Sequence, residues 1–235
     1  MSSSAIAVSV FEFVILLFSL SFHECAHAWM ASRLGDQTAR LQGRITLNPI
    51  PHIDPMGTLL FPALVIFGPL LGFDFPFLLV GWAKPTPVIT RNLKNIVRDD
   101  NLITLAGPAS NLILAIAAFL ALVIACLAAP GGSTLVHETL RGLMINGPSE
   151  LQGLVLIALV TIKINFSLFF FNLLPIPPLD GSHLLRNLLP YKAVQQYDRI
   201  PIWISYLLMI FVGGYVLGLL IDPAVGLVYA ILMSL

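Results

Sequence analysis

Charge is what this sequence most lacks. Only 10% of its 235 residues are Asp, Glu, Lys or Arg, against 57% apolar, and the mean hydropathy is +0.91. A soluble domain carries about a quarter charged residues, so a chain this poor in them has lipid as its solvent. Twelve acidic residues balance twelve basic ones, and zero net charge argues against a nucleic-acid partner. Two cysteines, Cys25 and Cys126, are too few for a disulfide framework; both lie in apolar runs and read as reduced packing residues. Repeats, low-complexity tracts and long linkers are missing too. A single integral-membrane domain over 1–235 is expected, with its core at about 5–190. The opening "MSSS" has no basic residue, and no small-residue cleavage site follows the first apolar run. That run is expected to stay as a membrane helix rather than be removed as a signal peptide.

Long apolar runs are what the chain has. A helix needs about 20 apolar residues to cross the hydrocarbon core, and candidates lie at about 5–31, 101–129, 151–174 and 201–221. The last is followed by "DP" and twelve residues too short to span alone. In "QTARLQGRITL" (37–47) polar and apolar residues alternate, which predicts a strand at the membrane surface. The apolar stretch 59–80 is broken by Pro62, Gly68, Pro69, Gly72, Asp74 and Pro76. Basic residues favour the cytoplasmic side, and ten of the twelve fall in three groups: Arg33, Arg40 and Arg44; Lys84, Arg91, Lys94 and Arg98; Arg186, Lys192 and Arg199. With all three groups cytoplasmic, 59–80 must re-enter or form a short hairpin, since a single crossing would put the groups on opposite sides. The expected fold is an all-α polytopic membrane protein. It has about four full transmembrane helices, a re-entrant or hairpin segment, a short surface β-strand region and an outer N-terminus.

At the end of the first run stands "SFHECAHAWM" (21–30). Four residues advance a helix by about 400°, so His23 and His27 project from one face and can share a metal ion. Glu24 then points toward the position of a metal-bound water. Ionisable groups are costly in a membrane and mark function by default. A catalytic zinc site needs a third protein ligand and one open position. The candidates are His52, Asp54, Asp180 and His183, with His137 expected on the far side. Position favours Asp180, which follows a span whose end lies at the same membrane level as the histidines.

"HECAH" (23–27), "AGPASN" (106–111) and "FNLLPIPPLDGSHLL" (171–185) together resemble the site-2 protease family of intramembrane zinc metalloproteases. "RITLNPIPHIDPMGT" (44–58) and "GWAKPTPV" (81–88) are similar to stretches of its short members. The resemblance covers most of residues 20–190. It implies one Zn2+ held by His23, His27 and Asp180, with Glu24 as general base and Asn172 positioning substrate or stabilising the oxyanion. It also implies a transmembrane-protein substrate and an active site toward the cytoplasmic face of the cell membrane. The inserted PDZ or cystathionine-β-synthase-like domain of longer members is not seen.

Zinc lowers the pKa of its water to about 7, and a carboxylate can relay the released proton to the leaving amine. Gly107, Pro108, Asn111, Pro175, Pro177 and Pro178 would furnish irregular backbone around a wet pocket. The 37–47 strand would either hold an unwound substrate by edge pairing or form a surface hairpin with solvated arginines. His52 and Asp54 are expected near the site without binding metal, either orienting an imidazole or forming a capped turn. Glu12 and Lys163 lie about three turns outward; either they face each other or share a cavity, or Lys163 snorkels to the outer surface and Glu12 is protonated. The rival readings are a membrane metal transporter and an inactive helix-binding protein. Transport predicts ionisable residues throughout the spans, whereas only Glu12 and Lys163 lie clearly inside them.

Overall fold

The computed structural model describes residues 3–73, 81–142, 150–209, 211 and 214–235, and all regular structure among them is helical. In chain order the helices are α1 (Ser3–Leu34), α2 (Thr38–Leu41), α3 (Phe61–Phe67), α4 (Ile96–Ala128) and α5 (Gly132–Leu140). There follow α6 (Glu150–Asn172), α7 (Asp180–Leu188), α8 (Tyr191–Tyr197), α9 (Ile202–Leu208) and α10 (Gly214–Met233). Helices α1, α4 and α6 contain apolar segments of 30, 33 and 22 residues. At 1.5 Å per residue these are about 33–50 Å long, enough to cross a hydrocarbon core about 30 Å thick. The chain is a multi-pass membrane protein. The three long helices pack on one another as its central bundle and match the runs expected at 5–31, 101–129 and 151–174.

Helix α4 begins five residues before its apolar run, because Asn95 caps it. The Asn95 side chain accepts from the Arg98 amide at 3.2 Å, while its own N–H reaches Asp99 Oδ2 at 2.9 Å. At the far end of the bundle Leu122 and Cys126 of α4 pack with Val136 of α5, Val155 and Ile162 of α6, and Leu232 of α10. This cluster is apolar throughout, and Cys126 belongs to it.

The strand expected over 37–47 is not formed. Asp36 Oδ1 accepts from the Thr38 amide at 3.1 Å and the Thr38 hydroxyl at 2.6 Å, which starts the single turn of α2. Gly43 then adopts φ 69° and turns the chain back. Arg44, expected on a solvated strand face, is buried.

The stretch 59–80 is partly described. A widened helical turn over Pro55–Leu60 runs into α3, which packs on α1 through Phe13 and Phe67, ring centroids 5.8 Å apart. Residues 74–80 lie outside the described residues. Where the chain resumes, the Trp82 amide donates to Gly57 O at 3.1 Å, and the Thr58 hydroxyl donates to Trp82 O at 2.8 Å. The excursion therefore returns to the level from which it left. Near the C-terminus the "DP" does not end a helix: Pro223 lies inside α10. Membrane helices tolerate proline where neighbours satisfy the freed carbonyl. Glu12 and Lys163 line one cavity between α1, α3 and α6, without an ion pair between them among the described contacts.

Candidate metal centre

His23, Glu24 and His27 occupy the C-terminal half of α1 and are each less than a tenth exposed. Asp180 is the first residue of α7. It is carried there by the loop after α6, whose Leu174, Ile176 and Leu179 pack with Phe171 and Met209. Gly181 explains how the loop comes so close: a Cβ there would overlap the Leu173 and Leu174 carbonyls. The result sets Asp180 Oδ2 3.1 Å from His23 Nε2 and 3.3 Å from His27 Nε2, with the two Nε2 atoms 3.0 Å apart.

The outer nitrogens decide what those inner atoms can be. His27 Nδ1 lies 2.7 Å from the Ile103 carbonyl, which only accepts, so Nδ1 carries the proton. His23 Nδ1 lies 2.7 Å from Asn111 Oδ1. The Asn111 amide nitrogen is committed to Asn165 Oδ1 and Ser19 O, which leaves its oxygen toward the imidazole. In the neutral imidazoles both Nε2 atoms present lone pairs, and they face a buried Asp180 oxygen that has no other hydrogen-bond partner. In that form three acceptors converge with no proton between them. A cation resolves that arrangement, and two imidazoles with one carboxylate match a catalytic zinc donor set that keeps its fourth position open.

Helix α4 supplies the wall behind the imidazoles. A Cβ at Gly107 would overlap both rings, so only glycine lets the α4 backbone approach this closely. Asn165 completes the support, donating from its amide to Ser19 Oγ at 2.9 Å and to Thr161 O at 2.9 Å. One polar chain thus runs through α1, α4 and α6 and orients His23.

Glu24 belongs to a different construction. Its Oε2 accepts from the Thr86 amide at 2.9 Å and the Thr86 hydroxyl at 2.8 Å. Thr86 sits on the segment after Trp82, and that segment is pinned along its length. The buried Arg44 guanidinium donates to the Pro51, Lys84 and Pro85 carbonyls at 2.7, 3.2 and 3.2 Å. The Lys84 amide reaches His52 O at 2.8 Å. Asp36 accepts from the Ile89 amide at 2.7 Å and the Asn92 side chain at 2.8 Å. Burial pushes the Asp36 carboxyl up, but these bonds and those from Thr38 outweigh it and hold the group below its ordinary value.

Of the four third-ligand candidates, Asp180 alone joins the cluster among the described residues. His183 is exposed. Asp54 caps the turn at Pro55, accepting from the Met56 and Gly57 amides at 3.0 and 2.8 Å. His52 is buried with its Nε2 3.0 Å from the Thr46 carbonyl. Orientation of the imidazoles comes instead from Asn111 and Ile103. His137 bonds the Leu232 carbonyl at the opposite end of the bundle. Asn172 donates to the Leu168 carbonyl at 2.9 Å, and among the described residues its side chain makes no other hydrogen bond. Sequence reasoning missed Thr86, Arg44 and Asn165. For Asn165 there was a signal, a carboxamide alone inside an apolar run.

This geometry defines the class. The description Peptidase family M50 matches residues 11–212, and the chain belongs to that family, as its likeness to site-2 proteases implied. Among its relatives is the Bacillus subtilis (strain 168) protein named "Putative zinc metalloprotease YwhC". It is 40% identical over 177 residues, covering 75% of this chain and 68% of that one. The Mycolicibacterium smegmatis protein named "Putative zinc metalloprotease Rip2" is 33% identical over 185 residues, covering 76% of this chain and 58% of its own length. A Rip2 of Mycobacterium tuberculosis (strain Erdman) is 33% identical over 210 residues, 83% of this chain and 68% of its own. No solved structure matches the chain significantly.

Proposed function

We infer that the protein is an intramembrane zinc metalloendopeptidase that hydrolyses peptide bonds in or near the transmembrane helices of membrane-protein substrates. The observation that carries this is the convergence of His23 Nε2, His27 Nε2 and Asp180 Oδ2, 3.0–3.3 Å from one another, beside a carboxylate held for proton transfer. Zinc supplies Lewis acidity that acidifies water and polarises a peptide carbonyl. His23 and His27 hold it through nitrogens whose opposite ring positions are fixed by Asn111 and Ile103, and Asp180 completes the protein ligands. Thr86 occupies Glu24 Oε2, so Oε1 takes the water's proton and returns it to the leaving amine. Asn172 uses its second N–H toward the substrate carbonyl or backbone.

The catalytic apparatus forms one integral-membrane domain over residues 1–235. Four crossings are proposed, the fourth in the C-terminal segment that contains α10, with an outer N-terminus and the metal centre toward the cytoplasm. The three basic groups support this orientation. A re-entrant hairpin between Gly57 and Trp82 accords with the hydrogen bonds that join its two ends. Such irregular backbone belongs where it lines a wet cavity, and water is what the reaction consumes.

The test uses purified, zinc-loaded protein and a model single-span substrate. Cleavage is expected, and Glu24→Gln should lower it at least about 1,000-fold while metal analysis still finds one zinc per chain. Cleavage that survives in Glu24→Gln, or after removal of zinc by a chelator, would overturn the reading.

A further inference from the structure

The cavity between α1, α3 and α6 has a volume of about 300 Å³ and a mainly apolar lining, and it is open rather than sealed. Its inner end reaches Leu20 and Phe171. Leu20 is three residues before His23, and Phe171 is next to Asn172. Its outer part holds Glu12 on α1 and Lys163 on α6. Neither side chain has a hydrogen-bond or ion-pair partner among the described residues, although both line the same small space. Polar groups at membrane depth are costly to leave unpaired. Glu12 is half-buried and Lys163 exposed, and no ion pair joins this acid and this base across the apolar cleft.

One neutral group is complementary to both. A carboxamide donates from its NH2 to a carboxyl oxygen and accepts at its carbonyl from an amino group. We propose that this cleft docks the substrate's membrane helix, and that Glu12 and Lys163 select helices carrying Asn or Gln about three turns outward of the scissile bond. The depth follows from α1: Glu12 precedes His23 by eleven residues, about 16 Å along a helix. The rest of the lining, with Leu16 and Val65, accepts apolar side chains and reads nothing. Substrate choice then rests on hydrogen bonds, which discriminate where apolar contact with lipid-like side chains cannot. This inference rests on the proteolytic reading of the metal centre.

The probes are synthetic single-span Leu/Ala peptides with a glycine-containing scissile stretch and one guest residue, Gln or Leu, scanned along the helix. They are reconstituted with zinc-loaded protein in phosphatidylcholine vesicles. At one depth the Gln guest should raise kcat/KM about three- to fifteen-fold over Leu. In Glu12→Leu and in Lys163→Met the Gln-to-Leu ratio should fall to about one, and Glu12→Gln, which keeps a hydrogen-bonding head, should retain part of it. Docking is read separately in Glu24→Gln protein, by cross-linking Val65→Cys to a cysteine beside the guest position. Thermal melting checks that each variant folds. Cleavage with no Gln preference at any depth, or a preference undiminished in both variants, overturns the inference and leaves the protease standing. Gln-preferring cross-linking of peptides that are never cut supports the docking site and overturns the protease.

Discussion

The two ends of the α1–α4–α6 bundle are built on opposite terms. At the metal-site end its contacts run through Ser19, Asn111, Asn165, the two imidazoles and Asp180, each polar group tied to a named partner except where metal belongs. At the opposite end Leu122, Val136, Val155, Ile162 and Leu232 meet with at most 2% exposure. Apolar side chains gain little by leaving lipid for one another, so that end contributes shape and dispersion rather than specificity. The metal-site end contributes direction. Hydrogen bonds fix which way each imidazole points, and a misdirected imidazole is a lost ligand. One end can drift by fractions of an ångström and still hold; the other cannot.

The sharpest way to break that contrast is to add one methyl group to each half. Gly107→Ala sets a Cβ into both imidazoles, and zinc content and activity should both fall to background. Gly153→Ala in α6 meets nothing within 4 Å. It should keep full zinc occupancy and melt no lower, since Ala is a better helix former than Gly by about 1 kcal/mol. Equal loss of zinc in the two variants would mean that the glycines serve the helices rather than the site.

A milder break separates affinity from stability. Asn111→Leu strands the His23 Nδ1–H and should weaken zinc binding about 10- to 100-fold, read by competition with a chromogenic chelator. Leu122→Ala should leave that affinity unchanged and lower unfolding stability by about 2–3 kcal/mol, mainly through a cavity. An affinity loss in Leu122→Ala would show that the two ends are mechanically one.

The smallest effect belongs to the loop that carries Thr86. Asp36 is held below its ordinary value in the folded chain, so it contributes stability above the unfolded carboxyl pKa of about 3.9, and that contribution is lost as pH falls through its folded value. Asp36→Asn should therefore reduce stability by about 1 kcal/mol near pH 7 and by less below about pH 4. Melting curves of both proteins across pH 3–7 check this. A constant gap would show that Asp36 does not titrate as the loop's anchor.

What could be read from sequence follows a physical division. The spans are a matter of length and composition, and the histidine pair is a matter of helical period, so both are local. Asp180 was reachable because membrane level confines the search to one plane. The error at 37–47 came from taking alternation at face value where Asp36 caps a turn and Arg44 is drawn inward by three carbonyls. Thr86 meets Glu24 across 62 residues, and Asn165 meets Ser19 across 146. Nothing local encodes those encounters.

The distance along the chain between His27 and Asp180 also sets a schedule. About 150 residues separate the two, and at 5–20 residues per second the ribosome needs roughly 8–30 s to make them. Through that interval α1 can already lie in the bilayer with two histidines and a glutamate, awaiting Asn111 from α4 and then the carboxylate from α7. A nascent chain therefore lacks a complete metal site while its neighbours in the membrane are being made. On the proposed ligand set the site stays incomplete until Asp180 has been made, and the length of chain between His27 and Asp180 sets that delay.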